Sequence, residues 1–127
     1  MMLYIDLDTA KRLIAEAIAL KGKDYVYVNP NGNRSICYNV HSSDDGETLT
    51  PGCIVGTALH LGGIPLDIMY DFSCCSAWEL LDSLSNRGLL RYDYSAAEYL
   101  QETLICQDRG TPWGYAAGLD DFEPEGK

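Results

Sequence analysis

From Cys53 to Leu61 the chain reads Cys53-Ile54-Val55-Gly56-Thr57-Ala58-Leu59-His60-Leu61, and a helix drawn through it is apolar on nearly all sides. Such a helix has no polar face to give to water, so other elements must surround it. Gly56 and Ala58 are small enough for neighbours to approach closely, and Gly62-Gly63 ends the segment. The remainder of the chain must therefore act as a wrapping layer. At 127 residues it is long enough for one domain that buries most of its apolar surface without staples.

The wrapping elements can be read in order. Ala10, Leu13, Ile14, Ala17 and Ile18 recur at the three-and-four spacing of one buried helical face, with Asp8 as the expected cap. Lys21 suits the negative end of the helix dipole, and Gly22 suits the closing position. Tyr25 to Val28 reads as a strand, Asn29 to Asn33 as a turn, and Ser35 to Val40 as the returning strand of a hairpin. His41 to Thr50 reads as a polar, acidic loop. Beyond the central helix, Pro65 begins a short helix through Tyr70.

Ser76-Ala77-Trp78-Glu79 and Ser95-Ala96-Ala97-Glu98 both match the capping box, in which serine and glutamate satisfy each other's free backbone donors. The first opens a helix with Trp78, Leu81 and Leu84 facing inward and Leu80 beside them. The second opens a helix to about Asp108. Leu89 to Tyr92 reads as a short third strand, and Thr111-Pro112-Trp113 starts one more short helix. The expected fold is α+β: a mainly helical single domain with a small antiparallel hairpin or three-stranded sheet on the helices. It spans residues 1–120, followed by an acidic frayed tail at 121–127.

Charge restricts the partners. The chain carries 19 Asp and Glu against 9 Lys and Arg, a net charge of −10. Between Arg34 and Arg87 there is no Lys or Arg, while Asp44, Asp45, Glu47, Asp67, Asp71, Glu79 and Asp82 fall in that stretch. A nucleic-acid backbone or an anionic membrane would be repelled, and no apolar run approaches the roughly 20 residues of a membrane span. Ala58, Gly62 and Ile68 partly match a helix-turn-helix, but the would-be reading helix holds Asp67 and Asp71 and no base. That reading is rejected. Five cysteines, an odd count without an export-type leader, point to reduced thiols in a cytosol.

Few constellations carry chemistry. Cys53 follows Pro51-Gly52 at a helix start, where a dipole can lower a thiol pKa. The favoured reading is a core thiol flanked by Ile54 and Val55; the alternative makes Cys53 the nucleophile of a cysteine hydrolase or transferase, with His41 as base and Asn39, Asp44 or Asp45 orienting it. Cys37, His41, Cys53 and His60 are the candidate zinc ligands, with Cys74 and Cys75 in reserve, although the close Cys-x2-Cys knuckles of structural zinc modules are missing. No Gly-rich phosphate loop follows a strand, and no cofactor is expected. The candidate binding surface combines Tyr25, Tyr27 and Tyr38 with Asp44, Asp45 and Glu47, since tyrosine is favoured at interfaces. An acidic face of this kind can also imitate a DNA backbone.

Three segments recur here in a recognisable order: Asp24-Tyr25-Val26-Tyr27, then Cys53 to Gly62, then Gln107-Asp108-Arg109-Gly110-Thr111-Pro112-Trp113-Gly114. In this the chain resembles small uncharacterised proteins encoded by bacteriophages of actinobacteria, over about residues 8–117. The resemblance implies a phage protein at work in a bacterial cytoplasm, and it brings no activity with it. With the charge pattern, it leads to the expectation of a non-catalytic accessory protein that contacts a host or phage protein.

Overall fold

The computed structural model describes residues 3–27, 40–42, 48–71 and 76–116. In chain order these residues form β1 (Leu3–Ile5), α1 (Leu7–Lys21), β2 (Val40–Ser42), β3 (Leu49–Pro51) and α2 (Ile54–Leu61). Then follow α3 (Leu66–Tyr70), α4 (Ala77–Asn86), β4 (Leu90–Tyr92), α5 (Tyr94–Asp108) and α6 (Trp113–Ala116). The fold is α+β and mainly helical, as the sequence implies.

The apolar segment at 53–61 is the centre of the molecule. Ile54, Val55, Gly56, Thr57, Ala58 and Leu59 are all buried, and α2 packs on α1, on α5 and on β3. Gly62, the C-cap of α2, lies close to its neighbours: a Cβ there would meet Leu13 and Leu3 side-chain carbons at 3.1 Å, and those side chains would have to give by a few tenths of an ångström. Those contacts bring α1 and β1 directly against the end of α2. The inner face of α1 consists of Ala10, Leu13, Ile14, Ala17 and Ile18, the five positions its spacing indicates. Gly22 closes α1 with φ +99°, a conformation that L side chains rarely adopt.

The α1 cap is Asp6 and not Asp8. Its carboxylate accepts the Thr9 N–H at 2.8 Å, and Asp8 lies within the first turn. Both positions carry an acid, but only Asp6 stands where the backbone is still extended.

The strands differ from expectation in their pairing. Tyr25, Val26 and Tyr27 are not in a strand, and residues 28–39, where the turn and most of the return strand were placed, lie outside the described residues. The antiparallel ladder is one segment later. β2 pairs with β3 in the register Val40↔Pro51, His41↔Thr50 and Ser42↔Leu49, so the acidic stretch read as a plain loop carries both strands of the pair. Three-residue strands are too short to show alternation, so their pairing is not written in the local pattern. β4 occurs where Leu89 to Tyr92 suggests a strand, but it joins no antiparallel sheet. It pairs in parallel with β1, Leu3↔Leu90, Tyr4↔Arg91 and Ile5↔Tyr92. Ile5 and Leu90 are fully buried, which anchors this pair on the core.

α4 opens with the expected capping box: Ser76 Oγ accepts the Glu79 N–H at 3.1 Å, and Glu79 accepts the Ser76 N–H at 3.0 Å. Its inner stripe is Ala77, Leu80, Leu81 and Leu84, and Trp78 is only half-buried on the flank. The second box does not form. α5 begins before Ser95, with Asp93 at the N-cap position and no side-chain cap, because the Asp93 carboxylate accepts the Tyr4 hydroxyl instead.

Two glutamines of α5 hold other helices. Gln101 Oε1 accepts the Ala77 N–H at 2.8 Å at the start of α4. Gln107, itself buried, accepts the Ile54 N–H at 2.7 Å at the start of α2 and donates to Asp108. Each supplies an acceptor to a helix-terminal donor that has none within its own helix. α6 then straps the surface, with the Trp113 N–H on the Tyr25 carbonyl and the Gly114 N–H on the Lys23 carbonyl, both at 2.8 Å. Trp113 is fully buried, with its ring edge-on to Tyr25 at 4.7 Å. The expected tail at 121–127 lies outside the described residues.

Candidate functional site

Cys53, the candidate nucleophile, is the N-cap of α2. Its Sγ accepts the Gly56 N–H at 3.4 Å, and the residue has no solvent exposure. Ile54 and Val55, also fully buried, lie beside it. The helix terminus that would activate a thiol is present, but a substrate must reach the sulfur, and the core encloses it. With its sulfur enclosed, Cys53 caps α2 and packs in the core, the reading that its apolar neighbours favour over a nucleophile.

His41 lies half-buried on β2, its Nε2 sharing a hydrogen bond of 2.7 Å with the Tyr27 hydroxyl. Burial, with the Lys21 ammonium adding to it, holds the imidazole below its ordinary pKa, so the neutral ring is favoured. His60 directs Nδ1 to the Ile64 carbonyl at 3.1 Å, closing the turn after α2. Among the described residues no three His, Cys, Asp or Glu side chains come together as a metal-binding group. Cys37, Cys74, Cys75, Asn39, Asp44 and Asp45 lie outside the described residues.

The candidate binding tyrosines also turn inward. Tyr25 and Tyr27 pack against the core, with Val26 exposed between them. The Lys21 ammonium stands 5.5 Å from the centre of the Tyr25 ring, whose other contact is Trp113. These rings fasten residues 23–27 to the body of the protein. They are not an open contact surface, and Tyr38 and Glu47 lie outside the described residues.

A different aromatic surface lies where α4, β4 and the start of α5 meet. The inner stripe of α4 leaves Trp78 and Asp82, one turn apart, on its flank. On α5 the buried Ala96, Ala97, Leu100, Thr103, Leu104 and Gln107 leave Tyr94 and Glu98, again one turn apart, outside. The Gln101 bond to the Ala77 N–H ties the start of α4 to α5. Trp78 and Tyr94 then meet, ring centres 5.2 Å apart and tilted by 56°. Tyr94 is 70% exposed.

Two phenol–carboxylate pairs extend the surface. The Tyr92 hydroxyl donates to Asp82 across from β4 to α4, and the Tyr4 hydroxyl donates to Asp93 across from β1 to the α5 cap position. Both phenols are held above their ordinary pKa, first by these bonds, since ionising would surrender the donor and set two anions together. An ionised carboxylate offers about four lone-pair sites, so each aspartate keeps accepting capacity beyond its tyrosine.

The electrostatics of this face are one-sided. α4 carries Glu79 and Asp82, α5 carries Glu98, Glu102 and Asp108, and neither helix contains Lys or Arg. Described cations stand at its margins, Arg87 and Arg109 at the C-cap positions of α4 and α5 among them. Arg91 lies opposite Tyr4 in the β1–β4 register, and Lys11 of α1 approaches the Tyr99 ring at 6.0 Å. A tilted indole–phenol pair with a carboxylate one turn away on each helix is suited to cations, which are drawn to ring faces and to carboxylates alike.

The chain matches no protein-family model, and no curated protein or solved structure is similar to it. No described helix is long and apolar enough to cross a membrane.

Proposed function

We propose that this chain is a non-catalytic binding module that docks on the basic surface of another protein through the α4–α5 face. The reading is carried by one observation: two packed helices bear acids and no Lys or Arg around a ring pair made of the half-buried Trp78 and the exposed Tyr94. Tryptophan and tyrosine are the side chains most often found to dominate binding energy, because a large rigid surface is buried at small entropic cost. A surrounding field of one sign steers an oppositely charged partner to that surface and rejects others. The resemblance to actinobacteriophage proteins supports a phage accessory role in the host cytoplasm, with a host or phage protein as the partner. Burial of Cys53 withdraws the main support for a cysteine hydrolase or transferase.

The test uses the whole protein as bait in a lysate of infected host cells. The comparison is with a triple variant, Asp82→Asn, Tyr94→Ala, Glu98→Gln, whose changed positions lie on exposed flanks. Wild type should retain a partner that the triple variant loses and that elutes as salt is raised. A partner retained equally by both proteins contradicts docking through this face.

A further inference from the structure

The chemistry of the α4–α5 face narrows the partner further, on the assumption that the docking reading holds. We infer that the Trp78–Tyr94 pair is a seat for arginine side chains of a short, basic protein segment. Three observations carry this. The two rings are tilted by 56° at 5.2 Å, so they offer π surface in two planes and not a closed stack. Asp82 follows Trp78 by one turn on α4, and Glu98 follows Tyr94 by one turn on α5, which places a carboxylate beside each ring. Neither helix supplies a cation of its own to occupy those carboxylates.

A guanidinium satisfies this arrangement better than an ammonium does. It is planar, it stacks on an aromatic face, and its fixed fork donates to a carboxylate at the edge of the same ring. A lysine delivers the same charge as a strongly hydrated point and gains less from either ring. The seat therefore distinguishes arginine from lysine at equal charge, which a general acidic surface does not. The occupant is a segment and not a free amino acid: the acids extend along both helices, from Glu79 to Glu102, and one side chain covers only the centre.

The molecule contains its own reporter. Trp113 is fully buried and Trp78 is half-buried, so a change in the indole N–H resonance of Trp78, with Trp113 unmoved, locates a ligand at the seat. The experiment titrates the full chain with two synthetic six-residue peptides of identical charge, one of alternating Arg and Gly and one of alternating Lys and Gly. The arginine peptide should bind about two- to fivefold more tightly, move the Trp78 resonance, and lose that margin in Tyr94→Ala. Glu98→Gln, which keeps the ring pair, should weaken the arginine peptide by a similar factor. Equal affinity for the two peptides, or an arginine preference that survives Tyr94→Ala, overturns the seat. If the lysate partner is lost by the triple variant while the peptides bind alike, the docking reading stands and the arginine seat falls.

Discussion

Gln107 shows at the scale of a single residue how the core holds a polar group. Its Oε1 satisfies the Ile54 N–H inside a buried helix start. Gln107→Ala leaves that donor unpaired and opens a void, so unfolding midpoints in urea should report a loss of about 1–3 kcal/mol. Nothing in the sequence around position 107 announces this role, because a glutamine in a helix reads as surface. Cys53 is the opposite case. Its place at a helix start and its apolar neighbours Ile54 and Val55 are legible in the sequence and favour a core thiol over a nucleophile, although the elements that enclose it are remote in sequence. His41 carries a pH consequence. Its pKa is lower folded than unfolded, so the neutral ring's contribution to stability is present above the ordinary imidazole pKa of about 6.5. It is lost as pH falls through the lower, folded value. An NMR titration should place His41 below that ordinary value.

At the scale of elements, helices were legible and strand pairing was not. A helix writes its buried face at a fixed local spacing, and five residues of α1 and the box at Ser76 could be read directly. The β1–β4 pair joins Leu3 to Leu90 across most of the chain, and no local pattern encodes such a partnership. The two capping-box motifs separate motif from mechanism. Ser76 Oγ accepts the Glu79 N–H, whereas Ser95 sits inside α5 beyond the Asp93 cap position. Ser76→Ala should therefore cost about 1 kcal/mol, and Ser95→Ala should stay within about 0.5 kcal/mol. Thermal unfolding of the two single variants, side by side, measures the difference. Equal losses would show that Ser95 caps α5 after all.

Over the whole molecule, an apolar helix is wrapped by a layer whose charge is unevenly distributed. α1 mixes Lys11, Arg12 and Lys21 with Asp8 and Glu16, and Arg12 pairs with Glu16 at 2.9 Å. α4 and α5 carry acids alone. The acidic excess is plain in composition, and the sequence pattern points to the stretch around Asp44 and to the tyrosines that follow the first helix. Composition locates charge along the chain, whereas a face is made by packing. The surface at Trp78 and Tyr94 arises where α4 packs on α5, with Gln101 bonding the start of α4, and this brings together residues sixteen positions apart. The central claim is that this face, and not the wider negative charge, selects the partner. The most direct measurement compares partner retention by wild type and by single Tyr94→Ala in low salt, since that substitution leaves the net charge unchanged. Retention reduced about two- to fivefold by the loss of one exposed ring is the predicted result. Retention unchanged by it, with sensitivity to salt alone, would contradict the account.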